Sequence, residues 1–415
     1  MKKQRFTTLG LALMVGFGIN GLAQEPDQLT DADLASARVK TAHVAPQAHL
    51  NGQAHARFGI PNIDSLVNFN DHFFSDGFDY SGNPNSHWYT NTVGNPPQHH
   101  GTTTINAPVI PVSLDLLDYD GQVRIFHGHP LHYDVTPYVQ PTLNSPVFQN
   151  STYSSSSVPT QITDAIQRAE HFNDAKDDWH TLLAPSLKPT RAMRIPRGYY
   201  RFSPNKDGSC CRYVLIDFNT FVYMFQSVTY GAEISGDVTT KDISTFLFPN
   251  TFLYFGIPAF CCAVGYHTYD YEPGDASNGN VEKRYVLNYS SWISPGLFDG
   301  FAEDITTLSH EIAEIFNDPF VAADGVHNVT PWWLAPGNGG CADILENADV
   351  IAGLANGRVL FPITMNGMTY HPQNVALLQW FEFRSPSDAL HGAYSYPDEA
   401  ALTALSAPQK AGCQP

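Results

Sequence analysis

The sequence predicts an α+β domain: a mixed, twisted sheet around one central helix, rich in loops and stapled by disulfides. Three observations carry this. Short runs alternating aromatic and β-branched residues recur between Ile105 and Tyr289, bounded by turn residues, which is how strands read in a sequence. Phe301–Phe320 (FAEDITTLSHEIAEIFNDPF) instead repeats its apolar residues at helical spacing. Six cysteines stand in a chain with 30 Pro and 31 Gly and only 15% charged residues, a profile of cross-linked, loop-rich globular structure rather than of disorder.

Taken in order, Met1–Ala23 reads as a secretory signal: Lys2, Lys3 and Arg5, an apolar run from Leu9 to Ile19, then small residues at Gly21 and Ala23. The short basic start suggests a bacterial exporter, so the expectation is a secreted protein, extracellular or periplasmic, beginning at Gln24. No later segment reaches eighteen uninterrupted apolar residues, so no membrane association is expected after cleavage. The net charge of −18 repels phosphates and excludes nucleic acid as a partner. Residues 24–101 are polar and aperiodic, an N-terminal extension or pro-segment draped over a core.

Organised structure is expected from 102 to 385. Ile105–Leu117 reads as a strand. Thr160–Phe172 reads as a helix with Thr160 as N-cap and with Asp164, Arg168, Glu170 and His171 on its polar, surface side. Tyr199–Phe202, Tyr213–Phe218 and Thr220–Phe225 read as strands or hairpins, and Phe246–Phe260 and Ala263–Tyr271 continue in that mode. Pro249 and Pro258 confine those runs to edges or breaks. Tyr285–Tyr289 is the last strand before the central helix. Beyond it, Tyr370–Phe383 has a helical pattern, and 386–415 forms a tail. Cys210, Cys211, Cys261, Cys262, Cys341 and Cys413 allow fifteen pairings, and the two doublets invite a bond between their segments.

The central helix carries the chemistry. Ile305, Leu308, Ile312, Ile315 and Phe316 form one stripe to be buried, while Thr307, His310, Glu314 and Asn317/Asp318 form another. His310 and Glu314 sit one turn apart and can reach one ion. Glu311 stands where H-E-x-x-H metalloproteases carry the carboxylate that takes a proton from water, and Glu314 replaces the second histidine. The bland alternative is a solvated pair on a surface helix.

SHEIAEIFNDPF, LENADV and TYHPQNVALLQWF together resemble motifs of secreted bacterial proteins distantly similar to the plant exordium, or phosphate-induced, family. In that group a His-Glu-x-x-Glu helix precedes Asp-Pro and then a Glu-x-x-Asp element, here His310, Glu311, Glu314, Asp318-Pro319, Glu346 and Asp349. The resemblance implies a zincin-like, metzincin-like, metal-binding domain over about residues 105–385. It also makes Met365 or Met368 the candidate methionine turn, and places Tyr370 where some metzincins carry a metal-facing tyrosine.

Zinc takes imidazole nitrogen and carboxylate oxygen, so His310 and Glu314 are expected ligands, with the third drawn from Glu346, Asp349 and Asp318 in that order. One imidazole with two carboxylates also admits calcium or manganese. Glu311 is the expected general base, and Tyr370 or His371 the groups that steady an oxyanion. The resulting expectation is a zinc peptidase or peptidase-like hydrolase acting on a peptide or protein. Two alternatives stand beside it: a secreted binding or cell-surface protein with a structural metal, and a carbohydrate-active enzyme using paired carboxylates.

Overall fold

The computed structural model describes residues 92–321, 345–354, 357–382 and 384–405, with shorter stretches between 27 and 88. The signal segment, Cys341 and Cys413 lie outside them. Ten strands matter for the site: β1 (Thr102–Leu116), β2 (His180–Leu187), β3 (Arg191–Ile195), β4 (Tyr200–Ser203), β5 (Tyr213–Asp217), β6 (Ile243–Pro249), β7 (Thr251–Tyr254), β8 (Cys261–Ala263), β9 (Gly265–Glu272) and β10 (Val281–Trp292). The helices are α1 (Thr136–Leu143), α2 (Ile162–Glu170), α3 (Phe218–Ile234), α4 (Thr306–Asn317), α5 (Asp349–Leu354) and α6 (Leu378–Phe381).

The main sheet runs β9–β10–β6–β1. β10 and β6 are parallel, as are β6 and β1, and β2 and β3 follow one another in parallel along β1. β9 alone among these is antiparallel, paired with β10 from Gly265↔Ser290 to Glu272↔Lys283. The mixed sheet is therefore present, but its centre is parallel and not built of hairpins. The reason is burial on both faces: all seven residues of β6 are buried, and so is β1 without a break from Ala107 to Leu114. β4, β5, β7 and β8 form a separate four-stranded sheet.

Alternation along each strand divides the core in two. Val109, Leu247, Tyr269 and Val286 pack with Ala165 and Ile166 of α2 and Leu308 and Ile312 of α4. Ile110, Phe246, Phe248, Tyr266 and Tyr289 pack on the other face with Phe221 and Phe225 of α3. Two short stretches of the N-terminal extension add to the sheet: Gln47–Ala48 beside Asp270 and Tyr271, and Asn62–Asp64 beside Val281–Lys283. Past residue 385, Ser395–Tyr396 pairs with Val375–Ala376, and Leu390 and Tyr396 are buried in the main core.

Four expectations change. Thr220–Phe225 belongs to α3 and is not a strand. Asp217 caps that helix, its carboxylate accepting from the Thr220 N–H at 3.0 Å, and Phe221, Phe225, Val228 and Ala232 form a buried helical stripe that aromatic content had masked. The segment after Tyr370 is helical only over Leu378–Phe381. Asp164, Arg168, Glu170 and His171 are buried, not on the surface, and Thr160 donates to the Asp164 carboxylate at 2.6 Å instead of capping α2. Finally, each cysteine doublet is bonded within itself, Cys210 to Cys211 and Cys261 to Cys262. Cys210-Cys211 precedes β5 and Cys261-Cys262 opens β8, and β7 lies between those two strands.

Candidate metal centre

α4 forms because Ile305, Leu308, Ile312, Ile315 and Phe316 share one stripe that the core absorbs. It ends at Asp318, whose backbone leaves the helical region (φ −152°) before Pro319. The facing stripe is buried as well: Glu311 is 4% and Glu314 1% exposed, which removes the solvated surface pair from consideration. β9 covers this stripe at close range, and Gly265 is what permits it. A Cβ there would overlap Thr307 Cγ2 and stand 2.6 Å from Glu311 Oε1.

Glu314 is the hub. Its Oε2 lies 3.2 Å from His310 Nε2 and 3.5 Å from His267 Nδ1, and its Oε1 accepts from the Ala348 N–H at 3.2 Å. His310 Nε2 is 3.5 Å from Asp349 Oδ1 at the start of α5, while its Nδ1 is 3.0 Å from Gln373 Oε1. That second contact orients the ring as supporting hydrogen bonds orient metal-ligating histidines. His310, Glu314 and Asp349 thus present three donor atoms within 4.8 Å of one another, and so do His267, Glu311 and Glu314.

The donor set fits a divalent ion on spacing as well as on chemistry. Ligands on a tetrahedral ion at about 2.0–2.1 Å stand about 3.3–3.4 Å apart. Charged hydrogen bonds are shorter, about 2.7–2.9 Å. Four histidine–carboxylate pairs elsewhere keep the shorter distance, His100–Asp178 2.8 Å, His132–Asp115 2.7 Å, His180–Asp164 2.8 Å and His371–Asp304 2.7 Å, while His391–Glu399 stands at 3.1 Å and His371–Glu303 at 3.6 Å. The pairs among His267, His310, Glu311, Glu314 and Asp349 sit at 3.2–3.5 Å, a separation that ligands around an ion can have.

Electrostatics separates the two helix carboxylates. Burial pushes Glu311 up to about 7, against the pull of His267 and His310. Burial opposes ionisation of Glu314 too, but there the two imidazoles prevail and hold it well below the usual carboxylate range. Burial alone would lower both histidines. Glu314, Glu311 and Asp349 raise His310 instead, and Glu346, Glu311 and Glu314 raise His267.

The residues line a cavity of about 880 Å³ that holds Thr307, His310, Glu311, Glu314, Glu346 and Asp349. The structure therefore brings together five of the residues expected from sequence: His310, Glu311, Glu314, Glu346 and Asp349. Asp349 Oδ1 stands 3.5 Å from His310 Nε2, while Glu346 lies in the cavity wall and its charge acts on His267. Asp318 is not in the centre, because its carboxylate accepts from the Leu345 N–H at 3.0 Å and fixes the returning chain. Tyr370 and His371 do not line the cavity. The Tyr370 hydroxyl donates to the Pro141 carbonyl at 2.9 Å, and His371 is held by Asp304 at 2.7 Å with Glu303 nearby. Met365 and Met368 pack on the main core from a hairpin, Ile363–Met365 with Met368–Tyr370. His267 was missed. Its signal is the alternation Gly265-Tyr266-His267-Thr268-Tyr269, which places a lone histidine on the same strand face as the glycine.

No family model matches the chain, and neither a curated protein nor a solved structure matches it. No helix among the described residues is long and apolar enough to cross a membrane.

Proposed function

We propose that the protein is a secreted, zincin-like metal-dependent hydrolase of peptide bonds. His310, Glu314 and Asp349 hold the ion, and Glu311 is the general base. The observation that carries this reading is the buried triad of His310 Nε2, Glu314 Oε2 and Asp349 Oδ1 at ligand spacing, with a second glutamate beside it. A divalent ion bound there supplies Lewis acidity that polarises a substrate carbonyl. Gln373 holds the His310 ring through Nδ1 and leaves Nε2 facing Glu314 and Asp349. Glu311 accepts the proton of an attacking water on its carboxylate, which is buried in the wall of the same cavity as His310 and Glu314. α4 and β9 shield this exchange from bulk solvent.

One observation favours the non-catalytic alternative, a binding or cell-surface protein with a structural metal. Leu34, Ala37, Val39, Lys40 and Ala42 of the N-terminal extension line the same cavity, taking space that a substrate chain would use. The two readings separate on metal content and turnover of purified His310→Ala and Glu311→Gln proteins with a denatured protein as substrate. The hydrolase reading expects His310→Ala to lose metal, and Glu311→Gln to keep metal and lose turnover. Metal without turnover in the unaltered protein moves the assignment to the structural role, and no metal removes both.

A further inference from the structure

We infer that segment 27–48 of the N-terminal extension is an autoinhibitory strap: it lies in the groove formed by the cavity and the outer edge of β9, and it shuts out an extended peptide of similar chemistry until its clasp on the body of the protein is released. The inference rests on the proposed reading of the cavity as a hydrolase site and concerns how that site is reached.

The described residues of this segment are held at both ends and meet the cavity between them. At the start, the Asp27 carboxylate accepts from three guanidinium groups of the body: Arg124 Nη1 at 3.0 Å, Arg197 Nε at 3.0 Å and Arg201 Nη1 at 3.5 Å. Two backbone bonds fasten the same end to β4, from the Leu29 N–H to the Phe202 carbonyl at 2.8 Å and from the Phe202 N–H to the Asp27 carbonyl at 3.0 Å. At the far end Gln47 and Ala48 pair in parallel with Asp270 and Tyr271. In between, the Lys40 N–H donates to the Cys262 carbonyl at 2.7 Å and the Thr268 hydroxyl to the Val44 carbonyl at 3.0 Å, so the chain follows β8 and β9 in their own direction. Leu34, Ala37, Val39, Lys40 and Ala42 line the cavity on the way, together with His310, Glu311 and Glu314.

None of those five side chains is an ordinary zinc ligand, so the segment fills the cavity without completing the coordination of an ion. It joins the sheet by strand addition, the mode in which a sheet edge takes up an extended peptide, with main-chain bonds for affinity and side chains for selection. The chemistry of a competing chain follows from the occupant: an extended peptide with small or apolar side chains, as at Ala37, Val39 and Ala42. A tethered segment meets its groove at an effective concentration in the millimolar range for short flexible linkers, roughly, so a few contacts suffice to keep a free chain out. Segments held by few backbone bonds also open at lower cost than the core, and the strap stands in that contrast to β6, all of whose residues are buried within the sheet. An occupied cavity is therefore compatible with catalysis, because the occupant can leave.

Asp27→Asn tests this, since it removes the charge of the clasp while leaving the proposed metal and base residues untouched. The probe is a fluorescein-labelled peptide carrying residues 34–48, whose binding to the zinc-loaded full-length protein is followed by anisotropy and needs no turnover. Losing a charged hydrogen-bond partner loosens the strap, so Asp27→Asn should bind the probe about tenfold or more tightly than the unaltered protein and hydrolyse a denatured protein faster by a similar factor. Equal affinity for the probe in the two proteins overturns the inference, whatever the turnover. Tighter probe binding without turnover in either protein supports the displaceable strap and overturns the hydrolase reading instead. Amide exchange in the unaltered protein decides even if the variant does not fold. The Lys40 N–H should exchange through a local opening, well ahead of the amides of β6, and exchange of Lys40 only together with that core would make the segment a fixed part of the fold and overturn the inference.

Discussion

Glu170 offers a sharp physical test of how α2 and the site helix are joined. The carboxyl is buried between them, one oxygen accepting from the Asn317 Nδ2–H at 2.9 Å and the other without a hydrogen-bond partner among the described residues. Burial pushes its pKa up to about 8, further than Asn317 and the Leu378 backbone pull it down, and the Glu382 charge adds to the rise. A glutamate whose folded pKa lies above its unfolded value binds its proton more tightly when folded. Its stabilising contribution is thus fully present below about pH 4.5 and is lost as pH rises through about 8. With each unit worth about 1.4 kcal/mol, the loss between about pH 5 and about pH 9 is about 4 kcal/mol, roughly two-thirds of it by about pH 7. Glu170→Gln keeps the shape and the uncharged state while removing the titration. Urea unfolding of the two proteins across that range should show the unaltered protein losing about 4 kcal/mol relative to the variant. Parallel pH curves would refute the reasoning, and so would a variant that loses stability equally at every pH.

Three further outcomes follow from the same contacts. Gly265→Ala should force β9 and α4 apart, costing about 1–3 kcal/mol in unfolding experiments and lowering zinc content in the same preparation. Unchanged zinc would mean that the close approach does not matter to the site. Tyr370→Phe should cost about 1 kcal/mol through the lost bond to Pro141 and leave turnover unchanged, because the residue does not line the cavity. Stripping metal with a chelator should lower the melting temperature reversibly, with about 2.7 kcal/mol regained when free zinc is restored to a hundred times its dissociation constant. A melting temperature indifferent to the chelator would count against a bound ion.

How far sequence reasoning reached can be seen residue by residue. Helical spacing in Phe301–Phe320 located α4, put His310 and Glu314 on its second face and set Glu311 about a quarter turn away, since a helix's own periodicity assigns its faces. The spacing of Glu346 and Asp349 pointed to the segment that reaches the cavity, but not to which of the two stands beside His310. Which of the two points at His310 depends on how α5 begins and where Asp318 anchors Leu345. Residues 218–225 differ for another reason: aromatic and β-branched residues fit a strand and a buried helix stripe equally, and the Asp217 cap decides for the helix.

What the chain determined on its own is therefore local: one amphipathic helix, its histidine and two glutamates in register, and an acidic segment downstream. What only the tertiary structure decided is every relation between elements. His267 lies 44 residues before Glu311, on a strand whose antiparallel register with β10 and whose glycine at 265 bring it against the helix. Each cysteine doublet closes on itself, which no spacing along the chain distinguishes from a bond between the two segments. A metal centre requires donor atoms from several elements to converge within about 2 Å of one point, and periodicity along a single element carries no information about that convergence.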